Sequence, residues 1–160
     1  MVIASIEIKD HLVEYMKHKY AVNDNDYISI PDSEDLYFVL NKLRIKRPKN
    51  CLVNRGNFKF SVPSPRDSKD PEIYNYYSMD AIGTIQSRIN RMFKAEFHDF
   101  MDYRIDECGD TIIEATILFV STHQITKIEP ESLSKDYYRW RNKHRQRHKT
   151  RGYKFQNKDT

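Results

Sequence analysis

The chain has 160 residues, 39% hydrophobic and 31% charged, with four glycines and six prolines. A chain of this length buries roughly 70% of the surface it would expose unfolded, enough for a proper core, and the composition excludes a fibrous or low-complexity protein. The formal net charge of +4 hides an asymmetry: from Lys135 onward ten Lys or Arg stand against two acids, whereas residues 1–134 hold 17 bases and 21 acids. An acidic body with a basic end points to an anionic partner for that end.

Residues 1–10 lack the basic start and apolar run of a signal peptide. No segment reaches the ~18 apolar residues that cross a bilayer, so a cytoplasmic protein without membrane association is expected. Ile8, Leu12, Tyr15 and Met16 recur at helical spacing, which predicts a helix over about 6–20 with Lys9, Lys17 and Lys19 facing water. Residues 23–26 are a polar break, and residues 27–30 are a β-prone run that stops at Pro31. Ser33 is a candidate N-cap, and Leu36, Tyr37, Leu40 and Leu43 predict a second helix to about Ile45. Lys42, Arg44, Lys46, Arg47 and Lys49 crowd its end, where cations suit the helix dipole or form a secondary phosphate-contacting patch.

Asn54, Gly56 and Asn57 supply turn chemistry, and Phe58, Phe60 and Val62 alternate with polar neighbours as a half-buried strand does. With residues 27–30 this strand predicts a two-stranded ribbon. Residues 63–71, with three prolines, read as a surface loop or hinge. The strongest periodicity follows, where Ile82, Ile85, Ile89, Met92, Phe93, Phe97, Phe100 and Met101 predict a long central helix over 78–103. Gly83 inside it suggests a close crossing with a neighbour.

Gly109 is placed to end that helix, and Thr111 with Glu114 has the form of a capping box. Ile112, Ile113, Ala115, Leu118, Phe119 and Val120 make the next helix nearly all apolar, hence buried. After a polar link over 121–129, Pro130 opens a final helix to about Arg147. These elements predict a mainly α (α+β) fold, a helical bundle around a long central helix with a small two-stranded β-ribbon in the N-terminal half. A single domain over 1–147, with a hinge at 63–71, would precede a basic flexible tail over 148–160.

The last helix carries the functional argument. Leu133, Tyr137, Trp140 and His144 fall on one face, while Lys135, Arg139, Arg141, Lys143, Arg145 and Arg147 cover the others, and Lys149 and Arg151 extend the run. Arginine forks match phosphate oxygens or a guanine edge, and a helix fits the major groove of B-form DNA. Tyr138 alternates with the cations and is the freer ring; Tyr137 and Trp140 either anchor the helix to the core or, if exposed, stack on single strands. A helix-turn-helix built from the last two helices would need a shorter link with a glycine, so a looser helical arrangement is expected.

Other clusters look chemical. Glu96, His98, Asp99, Asp102, Asp106, Glu107 and Asp110 crowd together, and His98 with Asp102 shares a face at metal-ligand spacing; the alternative is a solvated acidic face. His144 and His148 are also four apart, but the arginines around them oppose a second cation. Cys51 and Cys108 lack partners for a zinc site and read as reduced thiols. Phosphate-loop, nucleophile-elbow and dinucleotide-turn motifs are absent. No enzyme activity, metal or cofactor is therefore expected, the alternative being a metal-dependent nuclease that uses the acidic stretch.

The segments IEIKDHLVEYMKHKY, IPDSEDLYFVL, DPEIYNYYS and SLSKDYYRWRNKHR resemble in layout a group of uncharacterised small basic proteins of Bacteroidetes phages and mobile elements. The resemblance implies a role in phage or mobile-element biology and, with it, phage or mobile-element proteins as further partners. Together the residues predict a non-enzymatic binder of nucleic acid, DNA before RNA and double-stranded. Lys135, Tyr138, Arg139, Arg141, Lys143, Arg145, Arg147, Lys149 and Arg151 would form the contact. The alternative is a virion or assembly protein whose basic end docks on an acidic protein.

Overall fold

The computed structural model describes residues 1–66 and 68–156, with side chains as far as Arg147. In chain order the elements are β1 (Ile3–Ile6), α1 (Asp10–Lys19), α2 (Asp35–Leu43), β2 (Phe58–Ser61), α3 (Met79–Asp106), α4 (Ile112–Thr122) and α5 (Pro130–Gln156). This is a mainly α fold with one small antiparallel ribbon, as periodicity and composition predict. Among the described residues no helix is long and apolar enough to cross a membrane.

The chain forms two compact units, Met1–Glu96 with His123–Lys127, and Phe97–Thr122 with the residues from Ile128 onward. The division falls within α3, away from the Pro-rich segment 63–71. In the first unit α1 begins later than its stripe predicts. Ala4, Ile6 and Ile8 are buried while Ile3, Glu7 and Lys9 are exposed, and this period of two makes the N-terminus a strand first. β1 pairs antiparallel with β2 in the register Ile3↔Ser61 to Ile6↔Phe58. The ribbon's partner for β2 is thus the N-terminus, not residues 27–30. That segment's main chain pairs with β2 at a single bridge, Ile28 to Phe60, and Pro31 stops further pairing.

Gly56 and Asn57 lie hard against β1. The Ser5 hydroxyl donates to the Gly56 carbonyl (2.8 Å), and the Gly56 amide donates back to it (3.0 Å). The Asn57 amide side chain accepts from Ile8 N–H (3.0 Å) and donates to Ile8 C=O (2.7 Å). Gly56 is therefore needed for a close backbone approach more than for a turn.

Helix α2 starts at Asp35 with Glu34 as its N-cap and without a side-chain capping bond, so Ser33 does not cap it. Leu36 and Leu40 are buried in the core with Phe58, Phe60, Ile85, Ile89 and Phe93. Arg44, placed by sequence among solvent-facing cations, is wholly buried. Its guanidinium donates to Asn41 Oδ1 (2.9 Å), the Tyr74 carbonyl (3.2 Å) and Ser68 Oγ (2.8 Å), tying the loop after β2 to α2. Three neutral acceptors satisfy the fork, which removes Arg44 from any phosphate-binding patch. Lys42, Lys46, Arg47 and Lys49 remain exposed.

Of the predicted stripe of α3, Ile85, Ile89, Phe93, Phe97 and Met101 are buried, and Ile82, Met92 and Phe100 are half-buried. Gly83 is not a crossing point: it is exposed, and a Cβ there would meet nothing within 4 Å. Gly83→Ala is accordingly expected to raise stability by up to ~1 kcal/mol, read as a higher denaturant midpoint at unchanged slope. Gly109 ends the region at φ +76°, a conformation that favours glycine.

In the second unit the capping box closes α4 in both directions. The Glu114 carboxylate accepts from Thr111 N–H (2.9 Å), and Glu114 N–H reaches back to the Thr111 hydroxyl (3.3 Å). The Thr111 amide, followed by the Thr111 hydroxyl donating to the same oxygen (2.8 Å), holds the Glu114 carboxyl below its usual range. The helix is not buried all round: Ala115, Thr116, Phe119 and Val120 face inward, while Ile113, Ile117 and Leu118 are exposed. The link after α4 belongs to the first unit, where Ile125 is buried and Glu14 accepts from the amides of Thr126 (2.9 Å) and Lys127 (3.0 Å). Drawn away in this manner, it does not form the tight turn of a helix-turn-helix.

Candidate nucleic-acid interface

Glu129 and Pro130 start α5. The Glu129 carbonyl accepts from Ser132 N–H (3.0 Å), and Pro130 sits where a missing N–H leaves nothing unpaired. The helix continues to Gln156, beyond the predicted end near Arg147. Leu133 and Tyr137 are buried on its inward face and Trp140 is half-buried, as their spacing predicts.

Several bonds anchor that face to α3 and α4. The Tyr137 hydroxyl donates to Asp102 Oδ1 (2.6 Å), and burial followed by that carboxylate pushes the phenol well above its ordinary range. His98, itself buried, places Nε2 3.4 Å from Asp136 Oδ2 and stacks on Trp140 with centroids 4.2 Å apart. Trp140 also stacks on His144 at 5.4 Å. From α4, Thr116 Oγ1 accepts the Ser134 hydroxyl (3.0 Å). The indole's π-contacts are thus engaged within the unit, which takes Trp140 away from stacking on unpaired bases.

His98 and Asp102 offered metal-ligand spacing, yet each turns to a partner on α5. Periodicity placed them on α3 but could not supply that partner, so their supporting role escaped sequence reasoning. Further along the acidic stretch, Asp106 pairs with Arg141 (3.4 Å) and Asp110 with Arg104 (2.6 Å). Among the described residues no three His, Cys, Asp or Glu side chains gather as a metal site would need.

The outward faces of α5 carry the predicted contact residues. Lys135, Tyr138, Arg139, Lys143, Arg145 and Arg147 are exposed, and no described carboxylate forms an ion pair with any of the five cations. Arg141 differs: its side chain is only 23% exposed and held by Asp106, so it contributes less to an outward surface. Lys149, Arg151 and His148 lie outside the described side chains. Four residues advance a helix by ~6 Å and overshoot one turn by ~40°, so Lys135, Arg139, Lys143 and Arg147 form a row ~18 Å long that winds ~120° around the helix axis. Beside it Tyr138 is 58% exposed and, with Ile112, Ile113, Lys135 and Arg139, lines an apolar cleft of about 520 Å³ between α4 and α5.

No protein family, curated protein or solved structure matches the chain.

Proposed function

We propose that this protein is a non-enzymatic nucleic-acid-binding protein that lays the outward side of α5 against double-stranded DNA. Lys135, Arg139, Lys143 and Arg147 would follow phosphates, with Arg145 and Tyr138 on the adjoining side. The observation that carries this reading is the exposure of five cations without carboxylate partners among the described residues, on a helix whose opposite face is pinned by Leu133, Tyr137 and Trp140. A pinned helix presents its charges without first paying to order them, so the polyanion contact keeps more of its free energy.

Duplex DNA is favoured over the alternatives on physical grounds. A helix fits the major groove of B-form DNA, whereas that of A-form RNA is too narrow to admit side chains. Single-strand binding calls for several free aromatic platforms, and with Trp140 already stacked on His98 and His144 only Tyr138 remains among the described Tyr and Trp side chains of α5. A role in phage or mobile-element regulation, replication or packaging is the setting that the sequence resemblance suggests for this binding.

Fluorescence anisotropy with labelled duplex DNA, single-stranded DNA and RNA across a salt series tests the reading. Five neutralised phosphates predict a slope of log affinity against log salt of roughly −4.5 for B-DNA. Tightest binding to the duplex with such a slope is expected. A slope near zero, or tighter binding to polyglutamate than to DNA at equal ionic strength, would instead favour an acidic protein as the partner of the basic end.

A further inference from the structure

Away from α5, the first unit leaves one edge of its ribbon unpaired. The Val62 amide donates to the Val2 carbonyl (2.8 Å), and the register places the main-chain groups of Ala4 and Ile6 toward β2 as well. In an antiparallel pair alternate residues turn these groups to opposite edges, so the N–H and C=O of Ile3 and Ser5 point outward. β1 pairs with β2 alone, and no described backbone group bonds to those of Ile3 and Ser5 on the outer side.

A groove of about 610 Å³ runs along that edge. Four consecutive residues from Val2 to Ser5 line it, which is the signature of a strand's edge, since a sheet face would offer only alternate ones. Its far wall is tied by two main-chain bonds between Ile45 and Tyr76 (2.9 and 3.1 Å) and by the Arg44 guanidinium on the Tyr74 carbonyl. That wall is therefore built before any ligand arrives. Val53 and Ile73 supply apolar surface, 63% and 48% exposed, and Lys46 and Arg47 stand on the rim without an ion-pair partner among the described residues. Glu72 is the one acid among the groove's lining residues.

We propose that this groove receives an extended peptide from another protein, which adds to β1 as a third strand and carries acidic side chains toward Lys46 and Arg47. Outward groups on residues two apart match the repeat of an extended chain, and peptide strands are recognised in this manner through main-chain bonds plus pockets for alternate side chains. Apolar residues of the incoming strand rest on Val53 and Ile73. A second copy of this chain fits less well, because pairing β1 with its own equivalent would gather two sets of rim cations at one edge.

The test uses the full chain and labelled hexapeptides of alternating valine and glutamate, valine and lysine, and the glutamate peptide N-methylated at alternate amides. Saturable binding of the first peptide is expected, with slower hydrogen exchange at the Ile3 and Ser5 amides. Lys46→Glu with Arg47→Glu should weaken it by at least about tenfold while circular dichroism stays unchanged. Equal binding of the N-methylated peptide overturns strand addition, and equal binding of the lysine peptide overturns the acidic preference. Failure of the glutamate peptide to bind also overturns the proposal. Slow exchange at Ile3 and Ser5 that depends on protein concentration without peptide would assign the edge to a second copy instead. Displacement of the peptide by an equal concentration of duplex DNA would assign Lys46 and Arg47 to phosphate.

Discussion

Gly56→Ala is expected to lower the melting temperature by roughly 6–12 °C, the largest single-site effect on stability predicted for this protein. A Cβ at this position would sit inside the contact shell of the Ile6 carbonyl carbon and oxygen and the Glu7 amide nitrogen. These are backbone atoms of the β1 strand and its exit, already held by the Asn57 bonds to Ile8, and they have no rotamer by which to move away. Overpacking against such a wall costs on the order of 3 kcal/mol, which for a chain of this length gives the stated shift. Gly83→Ala is the control: the same chemical change with open space around it should act in the opposite direction. A Gly56→Ala protein that melts like the parent would mean that Gly56 does not approach β1 as closely as described.

Joint replacement of Arg139, Lys143 and Arg147 by alanine is expected to weaken duplex binding on the order of a hundredfold or more, each lost phosphate contact being a charged hydrogen bond. The salt slope should fall by about 2.7, since roughly 0.9 of a counterion is released per phosphate contact on B-DNA. All three side chains are exposed and unpaired among the described residues, so stability should change by no more than roughly 0.5 kcal/mol per site. The measurement is the same anisotropy series run beside thermal unfolding. Unchanged affinity with an unchanged slope would remove α5 from any nucleic-acid contact. Replacing Arg141 alone should do less, because its guanidinium is held by Asp106.

How much could be read in advance follows from the range over which each contact acts. The Thr111 and Glu114 box, Gly109 at positive φ, the stripe of α3 and the inward face of α5 all depend on neighbours within a few residues or on one helical period. Side-chain chemistry and spacing were sufficient for them. The basic outward faces of α5 were legible for the same reason, since a helix period decides which residues share a side.

Other features were settled by partners far along the chain. Residues 6–9 carry an apolar pattern that a helix could use, and they leave the helix because β2, more than fifty positions later, completes a ribbon with Ile3–Ile6. Arg44 looks like a surface cation until Asn41, Ser68 and Tyr74 converge on it. Helical spacing favours Trp140 as an anchor but leaves open a platform for bases, and the stack with His98 decides for the anchor. The nearly all-apolar α4 keeps Ile113 and Ile117 in solvent because its packing partners cover only the side bearing Ala115 and Phe119. Local chemistry specifies an element and the sides it presents; whether each side meets protein, solvent or a strand edge depends on loop closure across the whole chain, which no short window encodes.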